Sequence, residues 1–178
     1  MRAVVVYESM YGNTHAVAEA IGAGLSSAAE VTVLATDIAS VQALAGIDLL
    51  VVGGPTHAHG LSRVSTRRAA IDAAHKPDAD LTVDPDAEGP GLREWFDTIE
   101  KVPPFAAAFD TRADMSPVLS GRASKGIAKR LRHHGGVVLE SPESFLVTKD
   151  NHLAEAEVSR ARAWGAKLAA DVVEALHP

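Results

Sequence analysis

The first apolar run, Ala3-Val4-Val5-Val6-Tyr7, stops at Glu8 and crosses the turn Ser9-Met10-Tyr11-Gly12-Asn13-Thr14. It then enters a stretch where Val17, Ala20, Ile21, Gly24 and Leu25 recur at helical spacing. A short β-branched run without alternation predicts a parallel strand buried on both faces, and the three-to-four spacing predicts an amphipathic helix. The pattern repeats along the chain. Val31, Val33 and Ala35 alternate over residues 30–36, and 37–45 predicts a short helix or turn. A third apolar run over 47–52 ends in Gly53-Gly54-Pro55. A fourth covers 105–109, and a fifth covers 137–139 and resumes at 145–147 after Pro142. Helices are predicted over 63–74, 92–102, 122–134 and 152–176. Strands alternating with helices predict a parallel sheet with right-handed crossovers, hence an α/β, doubly wound fold with helices on both faces of a five-stranded sheet.

The turn after the first strand has its own chemistry. The first N–H groups of a helix lack partners within it and lie at the positive end of its dipole, so they hold an anion with main chain alone. Ser9, Asn13 and Thr14 add side-chain donors, Gly12 permits a positive φ or close approach, and Thr14 suits an N-cap. Residues 9–14 are therefore a candidate phosphate cradle.

Ser9-Met10-Tyr11-Gly12-Asn13-Thr14 resembles the FMN-phosphate loop of the flavodoxin superfamily, commonly Ser/Thr-x-Thr-Gly-x-Thr. With Met and Tyr at its second and third places it is similar to the flavodoxin domains of flavodiiron proteins and to flavodoxin-like quinone reductases. Tyr11 stands where simpler flavodoxins have a hydroxyl residue. The resemblance implies the strand order 2-1-3-4-5, a ligand crevice at the carboxyl ends of strands 1 and 3, and FMN as cofactor. Pro55-Thr56-His57-Ala58-His59-Gly60, after strand 3, resembles the flavin-ring loop. Asp110-Thr111-Arg112, after Phe109 as the last inward residue of strand 4, resembles by position the loop closing the ring's other side. Simpler flavodoxins stack a Tyr there, so the resemblance leaves His57, His59 or Trp95 to take its place; the simpler reading of Trp95 and Trp164 is core.

The function so implied is an FMN-binding, flavodoxin-like electron-transfer protein, working with a redox partner protein or a small quinone. One alternative is an NAD(P)H-dependent FMN quinone oxidoreductase, and another is a flavodoxin-fold binding module without flavin. His57, His59, Arg63 and Arg112 surround the expected ring position with Asp110 as the main opposing charge. Cations there would favour a negatively charged reduced ring and two-electron chemistry.

Composition narrows the choice further. At 178 residues and 47% hydrophobic content, a single domain with a real core is expected, 1–178. The absence of cysteine removes disulfides, iron–sulfur clusters and thiol redox chemistry, so redox work requires an organic cofactor. No apolar run approaches the roughly 20 residues of a membrane span and no secretory leader pattern opens the chain, so no membrane insertion and a cytoplasmic location are expected. A net charge of −6 disfavours nucleic acid. Arg122, Lys125, Lys129, Arg130 and Arg132 make one helix basic, which reads as a solvated face.

Residues 76–91, rich in Asp, Pro and Gly, read as a solvated, flexible acidic insertion. A calcium loop counted from Asp78 would need Gly and Glu where Val83 and Gly89 stand. His57-x-His59 has ligand character but no third ligand in its loop, so no metal site is expected. The phosphate-binding string Gly-x-x-x-x-Gly-Lys-Ser/Thr does not occur, which disfavours triphosphate hydrolysis. Gly22-Ala23-Gly24 lies inside a helix rather than before one, which removes the dinucleotide fingerprint. Gly53 occupies the aspartate position of a response regulator, and Gly-x-Ser-x-Gly is missing.

Overall fold

Strand β1 (Arg2–Tyr7) is flanked on both sides by parallel neighbours, β2 (Glu30–Ala35) and β3 (Leu49–Pro55), with Val5 in register with Val33 and Val51. Its unbroken apolar run is explained by this position: successive side chains point to opposite faces, and both faces are covered. Ala3, Val5 and Tyr7 join one core with α1 (Asn13–Leu25) and α6 (Glu157–Leu176). Val4 and Val6 join the other, with α3 (Leu92–Asp97) and α5 (Ala123–His133). The computed structural model describes residues 1–177.

β3 pairs with β4 (Phe105–Ala113), and the fifth sheet position is shared by two segments in tandem. β5 (Val137–Val138) pairs with the start of β4 and β6 (Glu143–Val147) with its end, all parallel. The order is 2-1-3-4-5, as expected, with the fifth strand interrupted around Pro142, which has no N–H for the ladder. Connections include a 3-10 turn (Val41–Leu44), α2 (Val64–Ala74) and the short α4 (Pro117–Ser120). No helix among the described residues is long and apolar enough to cross a membrane.

Several boundaries differ from those expected. β4 runs four residues past Phe109, whose ring lies over Gly53, its cross-strand partner; a Cβ there would sit 2.1 Å from Phe109 Cζ. Trp164 packs with Phe109 and Phe145, and Trp95 donates its indole N–H to the Ala39 carbonyl at 2.7 Å, so both tryptophans belong to the core. The last helix begins at Glu157 rather than 152, because residues 148–153 form a turn closed by Thr148 N–H on the His152 carbonyl.

The acidic segment 76–91 also departs from a solvated loop. Its first residues are exposed, but Asp84 and Ala87 are buried, the Asp84 amide donates to the Met10 carbonyl, and Asp86 accepts from the Tyr7 hydroxyl at 2.7 Å. What this segment buries is hydrogen-bonded main chain and carboxylate, so no apolar pattern marks it.

α6 is fastened to β6 by charge. Glu157 accepts from the Leu146 amide at 2.7 Å and from Arg160, which also reaches Glu143 at 3.0 Å and lies 4.4 Å over the Phe145 ring. Burial pushes the Glu157 carboxyl upward, but the donors from Arg160 and Leu146 outweigh it and hold it below its ordinary 4.5. A depressed folded-state pKa contributes stability that is present above the unfolded value and lost as pH falls through the folded one. Glu157→Gln is therefore expected to cost about 1.5–3 kcal/mol near pH 7, the range for hydrogen bonds to charged groups, and progressively less below pH ~4. Urea unfolding midpoints of both proteins across pH 3–7 check this; a gap independent of pH would refute the charge argument.

Candidate functional site

Glycine decides how α1 begins. Gly12 takes φ +86° at the N-cap position, turning the chain sharply from β1 into the helix. Its amide donates to Ser9 Oγ at 3.1 Å, which folds residues 9–12 into a tight loop. Thr14, expected as the cap, lies inside the first turn instead, and its buried hydroxyl pairs with that of Thr111 at 2.7 Å. The Asn13 carboxamide donates to the Asn151 carbonyl and Oδ1 at 3.0 and 3.2 Å. The loop is thus stitched to the ends of β4 and β6 by two of the side chains expected to hold the anion.

Main chain, with one hydroxyl of the Thr14–Thr111 pair, is what remains for that task. The first amide satisfied within the helix is that of Ala16, on the Gly12 carbonyl; those of Asn13, Thr14 and His15 have no acceptor among the described residues. Ser9 Oγ and one member of the Thr14–Thr111 pair each keep a proton to donate. The positive end of α1 therefore offers a cluster of donors with almost no charged side chain.

Asn13, Thr14 and Thr111, which carry two of these amides and the hydroxyl pair, line a cleft of about 400 Å³. Of the expected site residues, Met10, Tyr11, Asn13, Thr14, Pro55, Thr56, His57, Thr111 and Arg112 line it. Tyr11 anchors its wall by donating to the Ala70 carbonyl on α2 at 2.7 Å. Ser9 and Gly12 shape the loop from behind. Ala58, His59, Gly60 and Asp110 do not line the cleft, for identifiable reasons. Ala58 and His59 form the tip of a tight turn at φ +43° and +73°, closed by reciprocal hydrogen bonds between His57 and Gly60. Asp110 is fully buried and accepts from the Ser124 amide at 2.7 Å, capping α5, while Thr56 Oγ1 accepts from the neighbouring Ala123 amide at 2.9 Å.

The expected ring of positive charge is also corrected. Burial, and then the nearby Arg67 guanidinium, lower the His57 pKa below 6.5, so the imidazole is neutral at pH 7. Arg112 turns its guanidinium to the Ala113 and Met115 carbonyls and Ser120 Oγ. The cation unforeseen at the cleft is Lys149, which lines it with Val147, Thr148 and Asn151. One signal in the sequence points to this wall: in a parallel sheet the loop after every strand opens on the same edge, the loop after the fifth strand included.

The comparisons with known proteins agree with the fold. The flavodoxin family model matches residues 5–82. A flavodoxin from the domain Archaea superposes with a TM-score of 0.65 at 21% identity, covering 97% of this chain and 99% of its own. Flavodoxin 1 from Bacillus cereus gives 0.63 at 18%, covering 98% of each chain. The fold is flavodoxin-like. A WrbA-like flavodoxin from Agrobacterium tumefaciens shares the flavodoxin fold as well, with a TM-score of 0.59 at 22% identity over 97% of this chain and 98% of its own. No curated protein matches the sequence. The cleft lies at the carboxyl edge of the sheet, lined by residues from the ends of β3 and β4 and from the segments that follow β1, β3 and β6.

Proposed function

We propose that the chain binds FMN in this cleft and serves as a flavodoxin-like electron-transfer protein for a redox partner protein or a small quinone. The observation that carries the reading is the set of acceptor-free amides of Asn13, Thr14 and His15, beside a cleft that also admits Pro55, Thr56 and His57. A phosphate dianion fits that donor set, because main-chain N–H groups at a helix start are already oriented and their partial charges add. When bound, FMN supplies one- and two-electron redox chemistry that no side chain of a cysteine-free protein offers. The protein's part is to grip the phosphate, to lay the neutral His57 ring and Pro55 along the cleft wall, and to place Lys149 as a positive charge at its mouth.

Titrating flavin-free protein with FMN and with riboflavin tests the reading. FMN is expected to bind at least tenfold tighter, since only FMN carries the phosphate; equal affinities would put the anion elsewhere, and no binding would leave a flavodoxin-fold module for another ligand. Thr14→Val removes one hydroxyl of the buried pair with Thr111. It is expected to weaken FMN about fivefold to tenfold, in line with about 1–1.5 kcal/mol for a hydrogen bond, while the protein stays folded. Unchanged affinity would remove Thr14 from the phosphate site.

A nicotinamide-dependent quinone oxidoreductase is the second reading, favoured by Lys149 at the cleft mouth, where a second anionic substrate would be received. Rapid reduction of the bound flavin by NADH or NADPH alone would select it, and reduction only through a reductase protein would select the carrier.

A further inference from the structure

On the other side of the phosphate loop, and lining no part of the cleft, His15, Asp84 and Asp86 bring one nitrogen and two carboxylate oxygens within 4.8 Å of one another. Nothing in the sequence spacing announces the group, since residue 15 is on α1 and residues 84–86 are in the acidic segment. The observation that asks for a ligand is Asp84 Oδ2. The Asp84 side chain is 1% exposed, and this oxygen accepts no hydrogen bond among the described residues; it faces His15 Nδ1 at 3.4 Å. A buried carboxylate oxygen left without a donor is destabilising, so a positive partner is favoured there.

We infer that His15, Asp84 and Asp86 bind one divalent transition-metal ion, of the Zn²⁺ or Mn²⁺ kind, behind the phosphate loop. Metal–ligand bonds of about 2.0–2.2 Å at tetrahedral angles place neighbouring ligand atoms roughly 3.3–3.6 Å apart, which matches the His15–Asp84 separation. A donor set of one imidazole and two carboxylates suits a borderline ion, whereas calcium takes six to eight oxygens.

The surroundings orient each ligand as metal sites require. Tyr7 donates its hydroxyl to Asp86 Oδ2 at 2.7 Å. The Asp86 amide donates to Asp84 Oδ1 at 3.0 Å, leaving Oδ2 to the ion. His15 stacks on the Tyr7 ring at 4.4 Å, and its Nε2 lies 3.8 Å from Glu19; an ion bound at Nδ1 requires the tautomer with its hydrogen on Nε2, beside that carboxylate. Water completes the coordination from the open side, where His15 is 37% exposed.

This site is independent of the flavin reading and is tested on the full chain at whatever flavin content it purifies with. After chelator treatment and dialysis, calorimetric titration with ZnCl₂ is expected to show one saturable site per chain, and Co²⁺ to give visible d–d absorption at the same stoichiometry. His15→Gln and Asp84→Asn should each lower Zn²⁺ affinity at least tenfold, while His57→Gln leaves it unchanged. Asp84 is buried, so if its variant fails to fold, the partly exposed His15 decides the matter. Absence of saturable binding, or binding that survives His15→Gln, would overturn the proposal and leave His15 and Asp84 as an ion pair. Displacement of Zn²⁺ by millimolar Ca²⁺ would overturn the assigned class of ion.

Discussion

Replacing Gly24 or Gly165 with alanine is expected to destabilise the protein by about 2 kcal/mol or more, although alanine is the better helix former by about 1 kcal/mol. Both glycines lie where α1 and α6 cross. A Cβ on Gly24 would stand 2.1 Å from the Arg162 carbonyl oxygen and 2.8 Å from the Ala166 nitrogen, and one on Gly165 would stand 2.3 Å from the Ile21 carbonyl oxygen. These obstacles are main chain, which cannot swing aside as a side chain can, so the helices must separate. Separation loosens the core that Ile21, Leu25, Trp164 and Leu168 form over the sheet. Overpacking a dense interior costs about 1–3 kcal/mol and sometimes more, and rigid obstacles place these sites at the upper end. The helix-propensity gain is smaller. For a chain of this length each kcal/mol shifts Tm by about 2–4 °C, so a fall of about 4–8 °C is expected for either variant. Because both act on one crossing, the double variant should cost less than the sum of the singles. A raised Tm would mean that the helices lie farther apart than the structure shows.

The second large effect is expected at Gly121, and on binding more than on folding. Gly121 adopts φ +77° and ψ −176°, a region open almost only to glycine. It bridges His59, and a Cβ there would stand 2.2 Å from the His59 Cα and 2.3 Å from its carbonyl oxygen. The turn it braces is already strained, because Ala58 and His59 are both left-handed without being glycine. Gly121→Ala adds backbone strain of about 1–3 kcal/mol to a turn with little to spare, and moving that turn carries His57 out of the cleft wall. FMN affinity is therefore expected to fall about 10- to 100-fold, which is about 1.4–2.7 kcal/mol, with the sheet and cores intact. Circular dichroism and an FMN titration on the same preparation separate the two effects. Unchanged affinity in a folded variant would show that the ring does not lie against residues 57–60.

The sheet was readable because its physics is local and repetitive. β1, β3 and the first half of β4 are apolar runs of strand length, and a parallel strand covered on both faces must be one. The turn between β1 and α1 was readable for a different reason: an apolar run, a short polar turn with glycine and a helical spacing follow one another directly. Residues 152–156 were not readable, since they continue the helical apolar spacing of α6; the turn closed by Thr148, the pairing of Val147 with Leu153 and the Ala154 amide on the Leu146 carbonyl keep them out of the helix. Asp110 looked like a cleft residue because it follows Phe109 near a strand end; β4 in fact runs on to Ala113, and alternation turns the carboxylate toward α5. Asp84 and Asp86 looked like solvent-facing acid, and no one-dimensional pattern shows that Tyr7, Met10 and His15 would meet them.

By itself, the order of residues determined the α/β class and the succession of strands, turns and helices, because each depends on neighbours a few residues apart and on the periodicities of strand and helix. Tertiary structure alone decided which side chains remain free for a ligand. It gave Asn13 and Thr14 to protein partners, made His57 neutral, brought Lys149 to the cleft, and gathered His15 with Asp84 and Asp86. Burial, protonation and unsatisfied donors are properties of a side chain's whole surroundings, and those surroundings come from segments far apart in the chain.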